Sequence, residues 1–329
     1  MTRGVVHTLQ IDSALLQGNP WGDPATRDLY VYTPPGARGP LPAVLALAGF
    51  TGSGAGFVSR KWRQESLPER LDRLIAAGMP PVVVVMPDAL TALGGAQYLD
   101  SPVNGPYARY IVDEVRAFVA ERFALTGRWG ITGKSSGAWA ALTLPTLFPG
   151  AFHAVAAHSP DAAFDVAYPP DFPGAVETIR EAGGLEAWLT DFHSRLDLRG
   201  PDHAVLNLLA MACAYSPEPD RAPLPAALPV DLDTGALVPE VFARWLAWDP
   251  VHRLPACADA LRALDGIWLD VGTRDEFRLQ VGARLVHRAL NAASVPHDYA
   301  EHRGGHFRLN SRFDHSLPWL ARVLSADQG

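Results

Sequence analysis

The chain has 329 residues, 48% of them hydrophobic, with 28 Lys+Arg against 35 Asp+Glu and a formal net charge of −7. That length holds one large α/β domain or a domain with a substantial insertion, and the composition fits a soluble globular protein. The acidic balance argues against general nucleic-acid binding, which needs a basic surface, and no segment approaches the roughly 18 consecutive apolar residues of a membrane span. The stretch from Met1 to Leu16 mixes polar and apolar residues and lacks the apolar block of a signal peptide, so a cytoplasmic protein is expected.

In chain order, Val5–Leu16 and Asp28–Tyr32 read as antiparallel edge strands joined by the Gly18-to-Pro24 turn. Pro42–Leu47 and Pro81–Met86 are short, dense apolar runs, as expected of strands buried on both faces, with a helix over Ser66–Ala77 between them. Tyr107–Phe123 is a second helix whose Ile111, Val112, Val115, Phe118 and Val119 form an apolar stripe. A strand around Arg128–Thr132 runs into a small-residue helix, Ala138–Leu147, which Pro145 should end or kink. Phe152–Ala157, Gly266–Val271 and His297–Glu301 complete the strands. The alternation predicts an α/β fold with a mostly parallel central sheet and helices on both faces, built from residues 1–158 and 250–329. Residues 159–249 break the rhythm with helical segments at Ala175–Ala182, Leu185–Arg195, His203–Tyr215 and Pro239–Trp248 around a proline-rich coil, and are expected to be a helical cap insertion.

The most informative motif is Gly133-Lys134-Ser135-Ser136-Gly137, a G-x-S-x-G between the predicted strand and helix. In such a nucleophile elbow the serine sits on a strained turn above a parallel sheet, and a Cβ at either glycine would collide with a neighbouring strand or helix. The rival reading of Gly133-Lys134-Ser135 as the end of a phosphate-binding loop needs glycine at position 128, where the chain has Arg128.

A serine hydroxyl needs a base, and the base an orienting acid, expected in the order serine, acid, histidine. Asp275, just past a glycine turn after the strand Gly266–Val271, is the first choice of acid, with Glu276 second. Asp161, after the strand Phe152–Ala157, ranks third and is expected to serve a turn or helix N-cap, while Asp270 lies within its strand and is expected to be committed to local packing. His306 follows a Gly-Gly pair after the last strand, where a loop can bring its imidazole over the serine. The oxyanion of the intermediate requires preorganised N–H donors. These are expected from Ser136, next to the nucleophile, and from Phe50, with Gly49 the next choice, in the glycine-rich loop Gly49–Gly56. A dinucleotide fingerprint in that loop would need a glycine at Phe57.

Cys213 and Cys257 show neither C-x-x-C nor zinc spacing and the histidines no H-E-x-x-H pattern, so no metal and no cofactor are expected. Trp139, Trp188, Phe192, Trp245 and Trp248 are available to line an acyl pocket, although large aromatics more often fill a core. The partner expected is a small-molecule ester, with no nucleic acid and no membrane, and an exposed apolar cap face would favour a homodimer.

With these parts assembled, the chain resembles the esterase D / enterochelin-esterase-like branch of the α/β hydrolases, which includes S-formylglutathione hydrolases, feruloyl esterases and mycolyltransferases. The likeness is carried by Val31-Tyr32-Thr33-Pro34-Pro35-Gly36, Ala48-Gly49-Phe50, the elbow, His158-Ser159-Pro160, Gly272-Thr273-Arg274-Asp275 and Gly304-Gly305-His306. It implies a triad of Ser135, Asp275 and His306 and a serine esterase acting through an acyl-enzyme. Ala48-Gly49 stands where a His-Gly pair is common, and Ala138 where many members carry a second glycine. Acyl transfer to an alcohol, cleavage of siderophore esters by way of Arg180, Arg195, Arg199 and Arg221, and a non-catalytic binding protein on the same fold are the competing expectations.

Overall fold

A computed structural model describes residues 3–326. Its central sheet has eight strands: β1 (Val5–Asp12), β2 (Thr26–Thr33), β3 (Leu41–Leu47), β4 (Val83–Pro87), β5 (Leu125–Lys134), β6 (Ala154–His158), β7 (Gly266–Gly272) and β8 (Asp298–His302). They lie in the order β1-β2-β4-β3-β5-β6-β7-β8. β2 runs antiparallel to both β1 and β4, and the remaining neighbours are parallel. Thus only β1 of the first two strands is an edge; β2, expected beside it at the edge, is interior because it also pairs with β4. The expected first strand is shortened, too. Ser13 leaves the ladder, and its hydroxyl together with the N–H groups of Ala14 and Leu15 donates to Glu114.

Alternation of side chains across the pleat divides the core. Ala43, Leu45 and Leu47 of β3, Val83 and Val85 of β4, and Val155 and Ala157 of β6 face a large apolar cluster on one side of the sheet. Val44, Ala46, Val84, Met86, Ala154 and Ala156 face a smaller one on the other. Strands buried on both faces are continuous apolar runs for this reason.

The smaller cluster is closed by α1 (Leu67–Ala76) and by a C-terminal helix, Phe313–Ser325. α1 starts where its sequence specifies. The Ser66 side chain accepts from the Glu69 N–H, while the Glu69 carboxylate accepts from the Ser66 N–H, a reciprocal capping box. The larger cluster is covered by the helical stretch 107–120 (α2), by α3 (Ser136–Leu147), and by the insertion. α2 includes a π-helical segment, Tyr110–Val115, and buries Ile111, Val112, Val115 and Val119 as its stripe requires. α3 ends two residues after Pro145. The insertion contributes α4 (Phe172–Glu181), α5 (Leu185–Ser194), α6 (Asp202–Tyr215) and α7 (Pro239–Leu246). Trp139, Trp188 and Trp245 are fully packed in the shared cluster, so the insertion and the sheet have one continuous apolar interior on this side. α8 (Leu279–Ala292) and the C-terminal helix, α9 (Phe313–Ser325), follow β7 and β8.

Between β4 and α2 the chain forms two small antiparallel pairs, Leu90–Thr91 with Gly94–Gly95 and Asp100–Ser101 with Gly105–Pro106. Two-residue strands carry no hydrophobic period, so nothing in the sequence announces them.

α9 is fixed to the sheet by a polar array centred on the buried Asp270 and His158. Asp270 on β7 accepts from His158 Nδ1 (2.7 Å), Trp268 Nε1 (3.0 Å) and Arg312 Nε (3.0 Å), and His158 Nε2 meets Ser316 Oγ at 2.9 Å. These residues mimic a Ser-His-Asp triad, but Ser316, His158 and Asp270 are all 0% exposed, so no substrate reaches them. Their role is to join β6, β7 and α9. Burial alone would raise the Asp270 carboxyl, yet the His158 ring, the Trp268 indole and Arg312 together hold it down at about 2. A depressed carboxylate contributes stability above its unfolded pKa and loses it as pH falls toward the folded value. Acid titration followed by circular dichroism should therefore show stability declining from about pH 4 toward pH 2. Asp270→Asn, which removes the negative charge facing Arg312 and replaces one of the two acceptor oxygens with a donor, should lower urea-unfolding stability at pH 7 by about 3–5 kcal/mol. A loss below about 1 kcal/mol would contradict this role.

Candidate active site

β5 ends at Lys134 and α3 begins at Ser136, leaving Ser135 as a one-residue turn with φ 55° and ψ −122°. A non-glycine residue adopts that conformation only where its surroundings force it. The forcing contacts are identifiable. A Cβ on Gly133 would lie 2.3 Å from the Gly137 carbonyl, and one on Gly137 would lie 2.3 Å from the Leu47 carbonyl at the end of β3. The start of α3 is therefore pressed against two strands at once. The Ser135 N–H donates to the His158 carbonyl at 3.0 Å, and the Ser159 N–H to the Asp270 carbonyl at 2.8 Å, which ties the elbow to the ends of β6 and β7.

The carboxyl ends of those strands deliver the remaining groups. Asp275 follows β7 and is 5% exposed. Its Oδ1 accepts from the Phe277 N–H (3.0 Å), an Asx-type turn, and its Oδ2 meets His306 Nδ1 at 2.8 Å. Glu276, the second-choice acid, points elsewhere: its carboxylate accepts from the His306 backbone N–H. A Cβ on Gly305 would strike that carboxylate at 2.4 Å, and one on Gly272 would strike the Gly304 carbonyl at 2.6 Å. Two adjacent acids thus hold one histidine, Asp275 by its ring and Glu276 by its backbone. Phe277 packs edge-on against the imidazole at 4.8 Å between centroids.

Ser135 and His306 both line two adjoining cavities, of about 460 and 220 Å3. Phe50 lines both as well, and the chain at Gly49 passes so close to the elbow that a Cβ there would stand 3.2 Å from the Lys134 carbonyl and 3.3 Å from Ser135 Cβ. The loop is held from behind by Tyr98, whose hydroxyl donates to the Ala48 carbonyl at 2.9 Å. Ser136, as the first residue of α3, has a backbone N–H without an intrahelical acceptor.

Asp161, expected in a turn or cap, does something else. It lies under the elbow and accepts from Ser135 Oγ (3.1 Å), Ser136 Oγ (2.9 Å) and Gln97 Nε2 (3.2 Å). Burial pushes its carboxyl above the ordinary range, an effect offset in part by the hydrogen bonds from Gln97 and Ser136 and by nearby His306. Its position could have been anticipated from strand order alone: β6 neighbours β5, so residues just beyond both strands converge. Gln97 could not, since it comes from the short-stranded segment and has a positive φ of 53°.

The smaller cavity is walled by Asp161, Tyr168 and Asp171 from the start of the insertion, by His203 and Asn207 on α6, and by Phe277. The larger lies on the side of α1 and is lined by Phe57, Lys61, Arg70, Lys134 and Asn310 among others. Lys134 is held down at about 8 by burial, with the positive charges of Lys61 and Arg70 acting in the same direction. None of Trp139, Trp188, Phe192, Trp245 and Trp248 lines either cavity. Of the four arginines between residues 159 and 249 considered above, Arg195 and Arg199 bind Asp191, Arg221 binds Glu218, Arg180 donates to the Asp233 carbonyl, and none lines either cavity. Cys213 and Cys257 are free thiols. Among the described residues no group of three or more His, Cys, Asp or Glu is arranged to hold a metal ion, and no helix is long and apolar enough to cross a membrane.

Residues 24–319 match the family described as "Putative esterase". The chain belongs to this esterase family of α/β hydrolases. Its sheet order and helical layers are those of the α/β-hydrolase fold. Among solved structures it is similar to a ferulic acid esterase (18% identity, TM-score 0.61, covering 98% of this chain and 100% of that one). It is similar also to an S-formylglutathione hydrolase from Agrobacterium tumefaciens (18%, 0.59, 99% and 97%). A third is the fluorophosphonate-binding serine hydrolase FphF of Staphylococcus aureus (13%, 0.59, 97% and 99%). A comparison with curated protein sequences finds no match.

The Tyr98 hydroxyl ties the segment after β4 to the Ala48–Phe50 loop by a hydrogen bond. Tyr98→Phe should cost about 1 kcal/mol in urea unfolding and lower esterase turnover by loosening Phe50. Unchanged kinetics in a destabilised variant would separate the loop from the site.

Proposed function

We propose that this esterase-family chain is a carboxylic-ester hydrolase that works through an acyl-enzyme on Ser135. The observation that carries the reading is the Asp275–His306 pair at 2.8 Å, whose histidine lines the same two cavities as a serine in a strained elbow conformation. Family membership supports the ester-hydrolase class.

In this reading the Ser135 hydroxyl turns from Asp161 to His306 Nε2 as substrate enters, and attacks the acyl carbon while the imidazole takes its proton. Asp275 keeps the proton of the ring on Nδ1 and stabilises the imidazolium. The N–H groups of Ser136 and Phe50 receive the oxyanion, where losing a single donor costs about 2.7–4 kcal/mol. His306 then protonates the departing alcohol; on deacylation it takes a proton from the attacking water and returns it to Ser135 Oγ as the acyl–Oγ bond breaks and the acid leaves. Residues 159–249 act as a cap, supported by the contribution of Tyr168, Asp171, His203 and Asn207 to the smaller cavity.

Ser135→Ala should reduce p-nitrophenyl acetate hydrolysis by about 10⁴-fold or more and abolish labelling by a fluorophosphonate probe. Retention of either would refute the assignment. The two acids should separate by kinetics. Asp275→Asn should lower kcat by about 10⁴-fold, whereas Glu276→Gln, which keeps an acceptor for the His306 N–H, should cost no more than about tenfold.

A further inference from the structure

The larger cavity carries a positive charge that the protein itself leaves unmatched. The partly buried Lys134 immediately precedes the nucleophile, and its ammonium donates to Asn310 Oδ1 at 2.5 Å and lies 5.8 Å from the Phe57 ring centroid. Both partners are neutral. Among the described residues no carboxylate forms an ion pair with Lys134, and the charged groups that act on it are Lys61 and Arg70, both cationic. Glu65, the carboxylate in the lining of this cavity, is paired with Arg70 and Arg73, and Arg70 also with Asp314, but exposed Lys61 forms no ion pair among the described residues. An ammonium has three donors, and Asn310 uses one. Withdrawing such a charge from water without a counter-ion is unfavourable, and an anion arriving in the cavity would relieve that.

The smaller cavity has the opposite character. Asp161 and Asp171 line it, Asp161 is satisfied only by neutral donors, and among the described residues no Lys or Arg lines its wall. An anionic group is disfavoured there and favoured across the nucleophile, so the two sides of Ser135 are electrically distinct.

We propose that the cavity of about 460 Å3 is a subsite for an anionic group of the ester, a carboxylate or a phosphate, with Lys134 as its counter-ion and Lys61 as a second positive charge. The inference rests on the esterase reading and adds the substrate class to it: an ester bearing an anion on the part that enters this cavity, and a small uncharged part opposite.

Matched ester pairs test it on the full-length protein. For the acyl half, the mono-p-nitrophenyl ester of glutaric acid is compared with p-nitrophenyl pentanoate. For the alcohol half, m-acetoxybenzoate and m-acetoxyphenyl phosphate are each compared with phenyl acetate, which also separates carboxylate from phosphate. At least one charged member should exceed its neutral partner in kcat/KM by about tenfold or more, chiefly through KM. The ratio should fall to about one in Lys134→Met and recover in Lys134→Arg, whose charge is kept. Should Lys134→Met fail to fold, competitive inhibition of the wild-type protein gives the second measurement. There m-hydroxybenzoate or m-hydroxyphenyl phosphate should inhibit phenyl acetate hydrolysis at about tenfold lower concentration than phenol. Charged-to-neutral ratios at or below one in every pair, or a preference that survives unchanged in Lys134→Met, would overturn the subsite while Ser135-dependent hydrolysis of neutral esters stood. Absence of turnover of every ester, with no probe labelling of Ser135, would remove the hydrolase reading itself and the subsite with it.

Discussion

Everything at the site depends on how closely α3 approaches the sheet. Gly133 and Gly137 allow the first turn of the helix to press against the ends of β5 and β3, where a single Cβ would overlap a carbonyl at 2.3 Å. That contact leaves one residue to reverse the chain, and Ser135 takes a positive φ as a result. Such a conformation costs of order 1–3 kcal/mol and persists only when the surroundings over-determine it. Here they do: the Ser135 N–H is held by the His158 carbonyl, and the buried strands behind it cannot yield. The strain sets the hydroxyl above the sheet and directs the N–H groups of the new helix toward the same point.

The neighbouring strands extend the same logic. Because β5, β6 and β7 are parallel neighbours, their carboxyl ends open at one edge, where β5 delivers Ser135, β6 delivers Asp161 and β7 delivers Asp275 and Glu276. Asp161 lies beneath the serine, Asp275 orients the imidazole, and Glu276 holds its backbone. Lower on the same strands, Asp270 and His158 form a second acid–imidazole pair that is sealed under α9 and serves only to lock the layers together. Both arrays set a carboxylate on an imidazole Nδ1, at 2.7 and 2.8 Å, although Ser316 meets its imidazole and Ser135 donates to Asp161. Access to solvent separates them, so residue type and hydrogen bonding alone do not distinguish a catalytic group from a structural one.

Much of this architecture was legible in the chain. Apolar runs bounded by Gly and Pro mark the buried strands, since a strand covered on both faces has no polar side to show. The helical spacing over Ser66–Ala77 anticipates α1, and the glycines of the elbow mark the turn. The order of Ser135, Asp275 and His306 followed from motifs at strand ends, where loops can project a side chain without disturbing the core. Less was legible where short-range signals are absent. The two-residue strands after β4 have no period to detect, and the edge position assigned to β2 failed because pairing with β4 is a long-range event. The aromatic side chains available for an acyl pocket lie in the core instead, a matter of which layer covers them rather than of their chemistry.

The sequence by itself determined the strand-and-helix alternation, the elbow and the two loops that could answer it, because each rests on local sterics or on a short motif. Tertiary structure alone decided which of two adjacent acids faces the imidazole, since Asp275 and Glu276 differ by one step of backbone direction. It alone put Asp161 and Gln97 under the nucleophile and isolated His158 and Asp270 from solvent. It also left Lys134 with neutral partners in one cavity and Asp161 with neutral donors in the other. Such pairings join residues tens to hundreds of positions apart, and they arise from strand order and burial, which no local pattern of residues encodes.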